Sequence, residues 1–180
     1  MSELCFEGTA RVVGDNINTD YIISSRRKRD SQDKKYLAQY FMEDLDPTFA
    51  SRVKPGDILV AGENFGCGSA MEVAATVVVG VGIPAIVAKS YSRTYFRNGI
   101  NNGILLAVCD TSDMEEGDII DVSIDGGTIT VCNKTKGQTF GAGRLSPALV
   151  EILRAGGLVN YVREKEKVQF PEINATSSLW

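Results

Sequence analysis

A glycine-rich segment, residues 62–69 (GENFGCGS), has the residue types and the spacing in this chain that best suit chemistry. A short apolar run at 58–61 precedes it and predicts a buried strand, and a helix-forming composition begins at Ser69. A strand, a glycine turn and a helix start direct backbone N–H groups toward whatever lies above the helix. We therefore expect Ser69 at the helix N-cap, where its hydroxyl either caps the helix or faces a ligand. The same pattern also fits an ordinary glycine turn capped by a serine.

The residues that are absent narrow the chemistry further. The 180-residue chain has no histidine, and its four cysteines, at positions 5, 67, 109 and 132, are widely separated. Ser-His-Asp and Cys-His schemes are excluded, so acid–base work must use other side chains or come from another chain. No closely spaced pair of soft ligands exists, and we expect this chain to bind no metal and no iron–sulfur cluster. Free thiols in a reducing compartment are the simplest interpretation, with Cys67 as a packed thiol.

A basic run at residues 26–29 (RRKR) is the second candidate feature. It lies in a polar stretch of a chain whose net charge is −4, so it is a local concentration of positive charge. One interpretation is a solvated loop. The other is a loop that delivers a guanidinium group to an anionic ligand.

Composition sets the class of protein. Hydrophobic residues make up 43% and charged residues 23%, as in an ordinary globular protein, and the acidic balance argues against nucleic acid as a partner. No apolar run approaches the roughly 20 residues of a membrane-spanning helix, and the N-terminus lacks the features of a secretory signal. We expect a cytoplasmic protein with no membrane partner.

The elements that must position these residues follow an α/β order. The predicted strands are 8–14, 58–61, 84–88 and 104–108, and the predicted helices are 36–42, 72–79, 90–101 (with Ser90 as its cap) and 146–154. Alternating strands and helices call for parallel pairing. Residues 119–124 and 128–131, joined by Asp125, Gly126 and Gly127, predict a β-hairpin. The expected fold is α/β, with a mostly parallel core sheet plus this hairpin.

Several segments together resemble one known family. They are residues 14–20 (GDNINTD), 54–57 (KPGD), 62–69, 89–93 (KSYSR) and 97–103 (RNGINNG). In order and spacing, over residues 8 to 160, the chain resembles the small subunits of aconitase-type hydro-lyases, above all the 3-isopropylmalate dehydratase type. The resemblance implies a single swivelling β/β/α domain, which we place at residues 1–163. The polar composition of residues 164–180 predicts a loosely ordered tail.

The resemblance also implies a division of labour between two chains. A large subunit would carry a [4Fe–4S] cluster and most acid–base residues. This chain would supply Ser69 as the catalytic base and contacts to a dicarboxylate substrate, most simply 3-isopropylmalate in leucine biosynthesis. A serine is a very weak acid, so it needs nearby positive potential to act as a base. The alternatives are a related dehydratase of the 2,3-dimethylmalate, citramalate or homoaconitate type, and a non-catalytic binding or regulatory relative.

The chain departs from the family immediately after Ser69. The family has Ser-Ser-Arg-Glu-His from this position, whereas this chain has Ser-Ala-Met-Glu-Val. Met71 cannot replace an arginine that binds a carboxylate, although it suits a substrate with an alkyl group. The basic run lies where the family has its specificity loop.

We therefore assign substrate contacts to residues of the basic run and of the two loops. Arg26 and Arg27 are the first candidates and Lys28 the next. Thr19 and Asp20 would line the site or fix its loop, and Gly68 would approach the substrate within the glycine turn. A rim role for Lys89, Arg93 and Arg97 is a weaker interpretation than ion pairs or a solvated helix face.

Overall fold

Strands and helices alternate through most of the computed structural model, which describes residues 4–31 and 33–166. The strands are β1 (Leu4–Val12), β2 (Ile58–Ala61), β3 (Ala85–Ala88), β4 (Leu105–Val108), β5 (Ile119–Asp125), β6 (Thr128–Asn133) and β7 (Gln138–Arg144). The helices are α1 (Thr19–Ile22), α2 (Ser25–Asp30), α3 (Lys34–Ala38), α4 (Phe49–Arg52), α5 (Val73–Gly80), α6 (Arg93–Asn101), α7 (Pro147–Arg154) and α8 (Leu158–Glu166).

Strand β1 joins the two halves of one seven-stranded sheet, ordered β4-β3-β2-β1-β5-β6-β7. Its first part pairs antiparallel with β5, from Leu4 opposite Ile124 to Thr9 opposite Ile119. Its last part pairs parallel with β2, beginning at Ala10 opposite Ile58. Strands β1 to β4 are mutually parallel, whereas β5, β6 and β7 are antiparallel. The predicted α/β class, with a parallel core sheet and a hairpin, is confirmed.

The parallel half is the buried centre of the molecule. Every side chain of β2 and β3 is buried, as expected for central strands of a parallel sheet. Helix α5 packs against α1, α3 and α6, while α6 also packs against β4. Strand β4 contacts β6 and β7 as well, so the sheet curls until its two ends meet.

Several predicted boundaries differ from the structure. Strand β1 begins at Leu4 rather than at position 8, and β7 was not predicted. Helix α6 begins at Arg93, with Ser92 rather than Ser90 as its N-cap. The first residues of the predicted loose tail belong to α8, which ends at Glu166, and the rest of that tail, 167–180, lies outside the described residues.

The helices of the described ranges include none that is both long enough and apolar enough to cross a lipid bilayer.

Candidate functional site

The glycine-rich segment follows β2 at the carboxyl edge of the parallel strands. The segment that leaves β1 lies on one side of it, and the segment that leaves β3 lies on the other. The carboxyl edge of a parallel sheet is where α/β proteins bind their ligands. The topology therefore brings three separate loops together around Ser69.

Backbone hydrogen bonds join the glycine-rich segment to the loop that follows β1. The Gly66 N–H donates to the carbonyl of Ile17 at 2.7 Å, and the Thr19 N–H donates to the carbonyl of Cys67 at 2.9 Å. The Thr19 hydroxyl donates to the carbonyl of Ser69 at 3.0 Å, and Thr19 is only 2% exposed. Thr19 thus holds the backbone of Ser69 in place rather than facing open solvent.

Two asparagines shape the same contact. Asn16 and Asn64 both have left-handed backbones, with φ of 55° and 56°. Asparagine tolerates this conformation better than most residues because its short side chain can hydrogen-bond locally. The Asn64 side-chain amide donates to the Asn16 side-chain oxygen at 3.0 Å, so the two turns brace each other.

The loop after β3 holds the other side. The Phe65 N–H donates to the carbonyl of Ser90 at 3.0 Å, and the Ser92 N–H donates to the carbonyl of Phe65 at 3.0 Å. The Ser92 hydroxyl donates to the carbonyl of Gly66 at 2.6 Å. The buried Phe65 ring makes edge contacts with Tyr91 and Tyr95, at centroid distances of 6.2 and 5.0 Å. The glycine-rich segment is therefore fixed by buried aromatic packing as well as by hydrogen bonds.

Ser69 itself is exposed, and its predicted N-cap role is wrong. Helix α5 begins four residues later, at Val73, and Glu72 is its N-cap. The Ser69 carbonyl accepts from the Met71 N–H at 2.8 Å, which adds to the Thr19 contact. Within residues 4–31 and 33–166, no hydrogen bond engages the Ser69 hydroxyl. A rigid backbone thus presents a hydroxyl group that is not committed to capping.

The basic run forms α2 rather than a loop, and Arg27 is its most constrained member. The Arg27 guanidinium makes two hydrogen bonds to Glu43, at 2.7 and 2.9 Å, and lies 3.7 Å from the centre of the Tyr40 ring. These hydrogen bonds raise the pKa of Arg27 and lower the pKa of Glu43. Arg27 therefore fastens α2 to the chain that follows α3.

The other two predicted cations are more available. Arg26 has a side chain that is 60% exposed, and it lies 3.7 Å from Glu43 and 3.9 Å from Asp44. Lys28 lines an open cleft of about 300 Å³ together with Glu72, Val73 and Thr76. Lys28 is thus a cation that the structure brings to the start of α5, close to Glu72 and Val73.

Asp20 and Gly68 have structural neighbours that explain their positions. The Asp20 carboxylate accepts from the Ser25 N–H at 3.2 Å and so fixes the start of α2. Gly68 has a φ of 90°, a left-handed backbone that favours glycine, whereas a Cβ there would make only ordinary contact with the Asn18 side chain, at 3.4 Å. Asn18, which we did not predict, caps α1 by accepting from the Tyr21 N–H at 2.9 Å. The available signal was an asparagine before a short helical segment that has Asp20 in its first turn.

The cysteines do not offer a cluster site. All four are free, and no group of three or more potential ligands among the described residues could hold a metal ion. Burial raises the pKa of Cys109 to about 11, as expected for an inert packed thiol. Cys67 is half-buried in the glycine-rich segment, with its carbonyl bonded to Thr19. An iron–sulfur cluster does not fit the residues that this part of the chain provides.

This combination of fold and loop defines a class of protein. The family model described as the aconitase C-terminal domain matches residues 6–110, which include the parallel strands and all three loops of the site.

Comparison with individual relatives defines this class of protein more narrowly. The "3-isopropylmalate dehydratase small subunit" of Caldanaerobacter subterraneus subsp. tengcongensis is 49% identical over 161 residues, which is 88% of this chain and 98% of that protein. The "Methanogen homoaconitase small subunit" of Methanocaldococcus jannaschii is 39% identical over 166 residues, 92% of this chain and 96% of that protein. A crystal structure of 3-isopropylmalate dehydratase from the same organism is 37% identical, with a TM-score of 0.84 over 92% of this chain and 98% of that chain. The chain belongs to the aconitase family, in the group of hydro-lyase small subunits of the 3-isopropylmalate dehydratase type. The predicted resemblance is confirmed.

Proposed function

We propose that this chain works with a large subunit as a hydro-lyase that isomerises or dehydrates a 2-hydroxy diacid. The favoured substrates are 3-isopropylmalate and 2-isopropylmalate, which would place the enzyme in leucine biosynthesis. The names of the relatives support this choice, and a cytosolic location remains part of the proposal. One observation carries it: an exposed Ser69 hydroxyl without a partner in the described ranges stands on a loop that is held from both sides.

Ser69 is proposed as the base that removes a proton from the carbon next to a substrate carboxylate. A serine hydroxyl must approach its alkoxide form to do this, and that requires positive potential and a site without water. Lys28 would provide part of the potential, because it lines the cleft at the start of α5. The exposed hydroxyl faces outward, so a second chain must cover it.

A [4Fe–4S] cluster on the large subunit would supply Lewis-acid activation of the substrate hydroxyl group. The contribution of this chain is limited to binding, orientation and proton removal. Thr19 and Asp20 would act by positioning, since both are hydrogen-bonded to the loops that carry Ser69 and α2. Gly68 would allow close approach of the substrate to the backbone.

For the substrate carboxylate, we propose Lys28 as the first cation, because it lines the cleft beside Val73, and Arg26 as the next, because its side chain is 60% exposed. Arg27 would have to give up its two hydrogen bonds to Glu43 before it could bind a substrate. Met71 is partly buried and packs against the core, and Val73 lines the cleft with Lys28. These apolar side chains favour a substrate with an alkyl substituent at this position.

The same residues support a second candidate, a dehydratase for a different substrate. Met71 and Val73 stand where the resemblance implies an arginine and a histidine, and a homoaconitase small subunit is among the relatives. Substrates of the homoaconitate, 2,3-dimethylmalate or citramalate type are therefore the alternatives. A non-catalytic binding relative is the remaining alternative, and it predicts no turnover of any of these compounds.

Reconstitution tests the role of Ser69. The chain alone should be inactive, and with its large subunit under anaerobic conditions it should turn over an alkyl-malate. Ser69→Ala should lower kcat by about a thousandfold or more, without weakening complex formation in gel filtration. Ser51→Ala, an exposed serine on α4, is the matched control and should leave kcat unchanged. Normal turnover by Ser69→Ala would rule out this base.

A substrate screen tests the carboxylate contacts separately. Lys28→Ala should lower kcat/KM at least tenfold for the true substrate, because a charge-assisted hydrogen bond is lost. Arg26→Ala should have a smaller effect, and Arg29→Ala on the same helix is the control. Equal kcat/KM values for all three variants and the parent chain would show that α2 is a solvated helix without substrate contacts.

A further inference from the structure

A second cleft lies at the opposite end of the sheet from Ser69. It has a volume of about 320 Å³ and is formed by the turn between β5 and β6, the end of β7 and one face of α7. Leu4, the first residue of β1, pairs with Ile124 just before that turn, whereas the site loops follow the last residue of β1. The length of β1 therefore separates this cleft from the glycine-rich segment.

Arg144, which lines this cleft, makes few polar contacts for an arginine. Its guanidinium donates to the carbonyl of Gly126 at 3.3 Å. Across the described part of the chain it has no other polar partner, and no carboxylate lies within 4 Å. The side chain is thus held at the cleft by one weak bond, with most of its donors available.

The cleft has an excess of positive charge. Arg154 supplies a second guanidinium to the lining, and Glu151 supplies a carboxylate. Glu151 is already paired with Lys165 at 3.3 Å, and hydrogen bonds from Lys165 and Tyr161 lower its pKa. The Glu151 carboxylate thus has positive groups on two sides, Lys165 outside the cleft and Arg154 in its lining, and Arg144 is the cation of the lining that faces no carboxylate among the described residues.

The rest of the lining is apolar. Leu145, Pro147 and Val150 face the cleft, and Leu145 and Val150 are less than one-tenth exposed. A guanidinium fork matches the two oxygens of a carboxylate, and small-ligand sites combine such a group with an apolar wall. The volume lies in the range of small-molecule sites.

We propose that this cleft binds a small aliphatic carboxylate, with Arg144 contacting the carboxylate and the apolar residues contacting the hydrocarbon part. Nothing in this proposal depends on the substrate or on the role of Ser69. Its ligand should bind without competing with the substrate, because the two sites lie at opposite ends of β1.

Calorimetric titration of the full chain with 4-methylpentanoate tests the proposal. We expect saturable binding, which weakens about tenfold or more with 4-methylpentanamide, where the charge is lost, or with acetate, where the hydrocarbon is lost. Arg144→Gln should weaken 4-methylpentanoate binding to a similar extent, while its far-UV circular dichroism stays unchanged. Arg163→Gln, which removes the same charge from α8, is the control and should bind normally.

Binding that is absent, or that is equal in Arg144→Gln and the parent chain, would overturn the proposal. The same titration on the complex with the large subunit identifies the source of the carboxylate. Retained binding in the complex supports a free small molecule. Loss of binding there would also overturn the proposal, because the cleft would then be filled by a group of the large subunit.

Discussion

At the scale of single residues, Gly66 determines how closely the glycine-rich segment approaches α6. Its φ is 73°, and a Cβ at this position would lie 2.1 Å from the Tyr95 ring. Tyr95 is buried, and its hydroxyl donates to the carbonyl of Ala74, so the ring has little room to move. Phe65, Gly66 and Tyr95 therefore pack together as a single unit.

Gly66→Ala should lower the free energy of unfolding by about 3 kcal/mol, through overpacking and the positive φ together. Urea denaturation followed by circular dichroism measures the change. Gly14→Ala is the matched control, since a Cβ at position 14 would have no neighbour within 4 Å and the backbone there is not left-handed. Equal midpoints for the two variants would show that Tyr95 moves aside at no cost.

The ion pair of Arg27 and Glu43 gives a pH-dependent prediction. The hydrogen bonds from Arg27 lower the pKa of Glu43 below its ordinary value of 4.5. A carboxyl group whose pKa is lower in the folded state contributes stability above its unfolded pKa, and that stability is lost as the pH falls through the folded pKa. The parent chain should thus be more stable than Glu43→Gln at pH 7.

The stability difference between the two proteins should remain constant down to about pH 5 and shrink below about pH 4.5. Urea midpoints measured from about pH 3 to pH 7 give this difference directly. A difference that does not depend on pH would mean that Glu43 acts through shape rather than through charge.

At the scale of elements, the start of α6 shows what local patterns can and cannot predict. The sequence indicates a helix and a serine cap, but Ser90 and Ser92 are both suitable. Ser92 is the cap because its hydroxyl accepts from the Tyr95 N–H at 3.2 Å and donates to Gly66, a residue distant in sequence. Ser90 instead accepts from the Asn64 N–H. Contacts between residues that are distant in sequence therefore determine which of the two serines caps α6.

Ser92→Ala should lower the free energy of unfolding by about 2 kcal/mol, because one change removes the helix cap and the bond to the glycine-rich segment. Thermal or urea denaturation measures it. Ser146→Ala is a good comparison, since Ser146 is the N-cap of α7 but makes no side-chain cap hydrogen bond. This variant should leave the free energy of unfolding almost unchanged. Similar losses in both variants would contradict the double role of Ser92.

The elements that the sequence did not predict have common physical reasons. Strand β7 (QTFGAGR) contains two glycines and few β-forming residues, and it exists because β6 provides its partner. Helix α2 consists of four basic residues with Ser25 and Asp30, and it is held by Arg27 and Glu43. Buried apolar strands, by contrast, were predicted because their composition alone specifies burial.

The candidate site was predictable in part for the same reason. The segment around Ser69 has a recognisable pattern, so its position after β2 could be inferred from sequence. The pairing of Arg27 with Glu43, and the approach of Lys28 to Glu72 and Val73, depend on packing between helices. Sequence spacing alone does not contain that information.

At the scale of the whole molecule, β1 couples the antiparallel and parallel halves of the sheet. Neither half has a complete set of strand partners without it. We therefore propose that residues 1–163 unfold as one cooperative unit, as expected for a single domain.

Far-UV and near-UV circular dichroism should show one coincident transition in urea for the full chain. Two separate transitions would divide the chain into two folding units and contradict the proposed domain. A truncated chain that lacks β5 to β7 should show no cooperative transition, because the first part of β1 and the apolar face of β4 would lose their cover.

The pairing of Leu4 with Ile124 also has a consequence for how the chain is made. During translation β1 emerges before its parallel partner β2, whereas its antiparallel partner β5 emerges only after β2, β3 and β4. Until then the first half of β1 is an unpaired strand edge, which favours association between nascent chains. Expression at high rates should therefore yield more aggregate than slow expression at low temperature, even though β5 covers that edge in the finished protein.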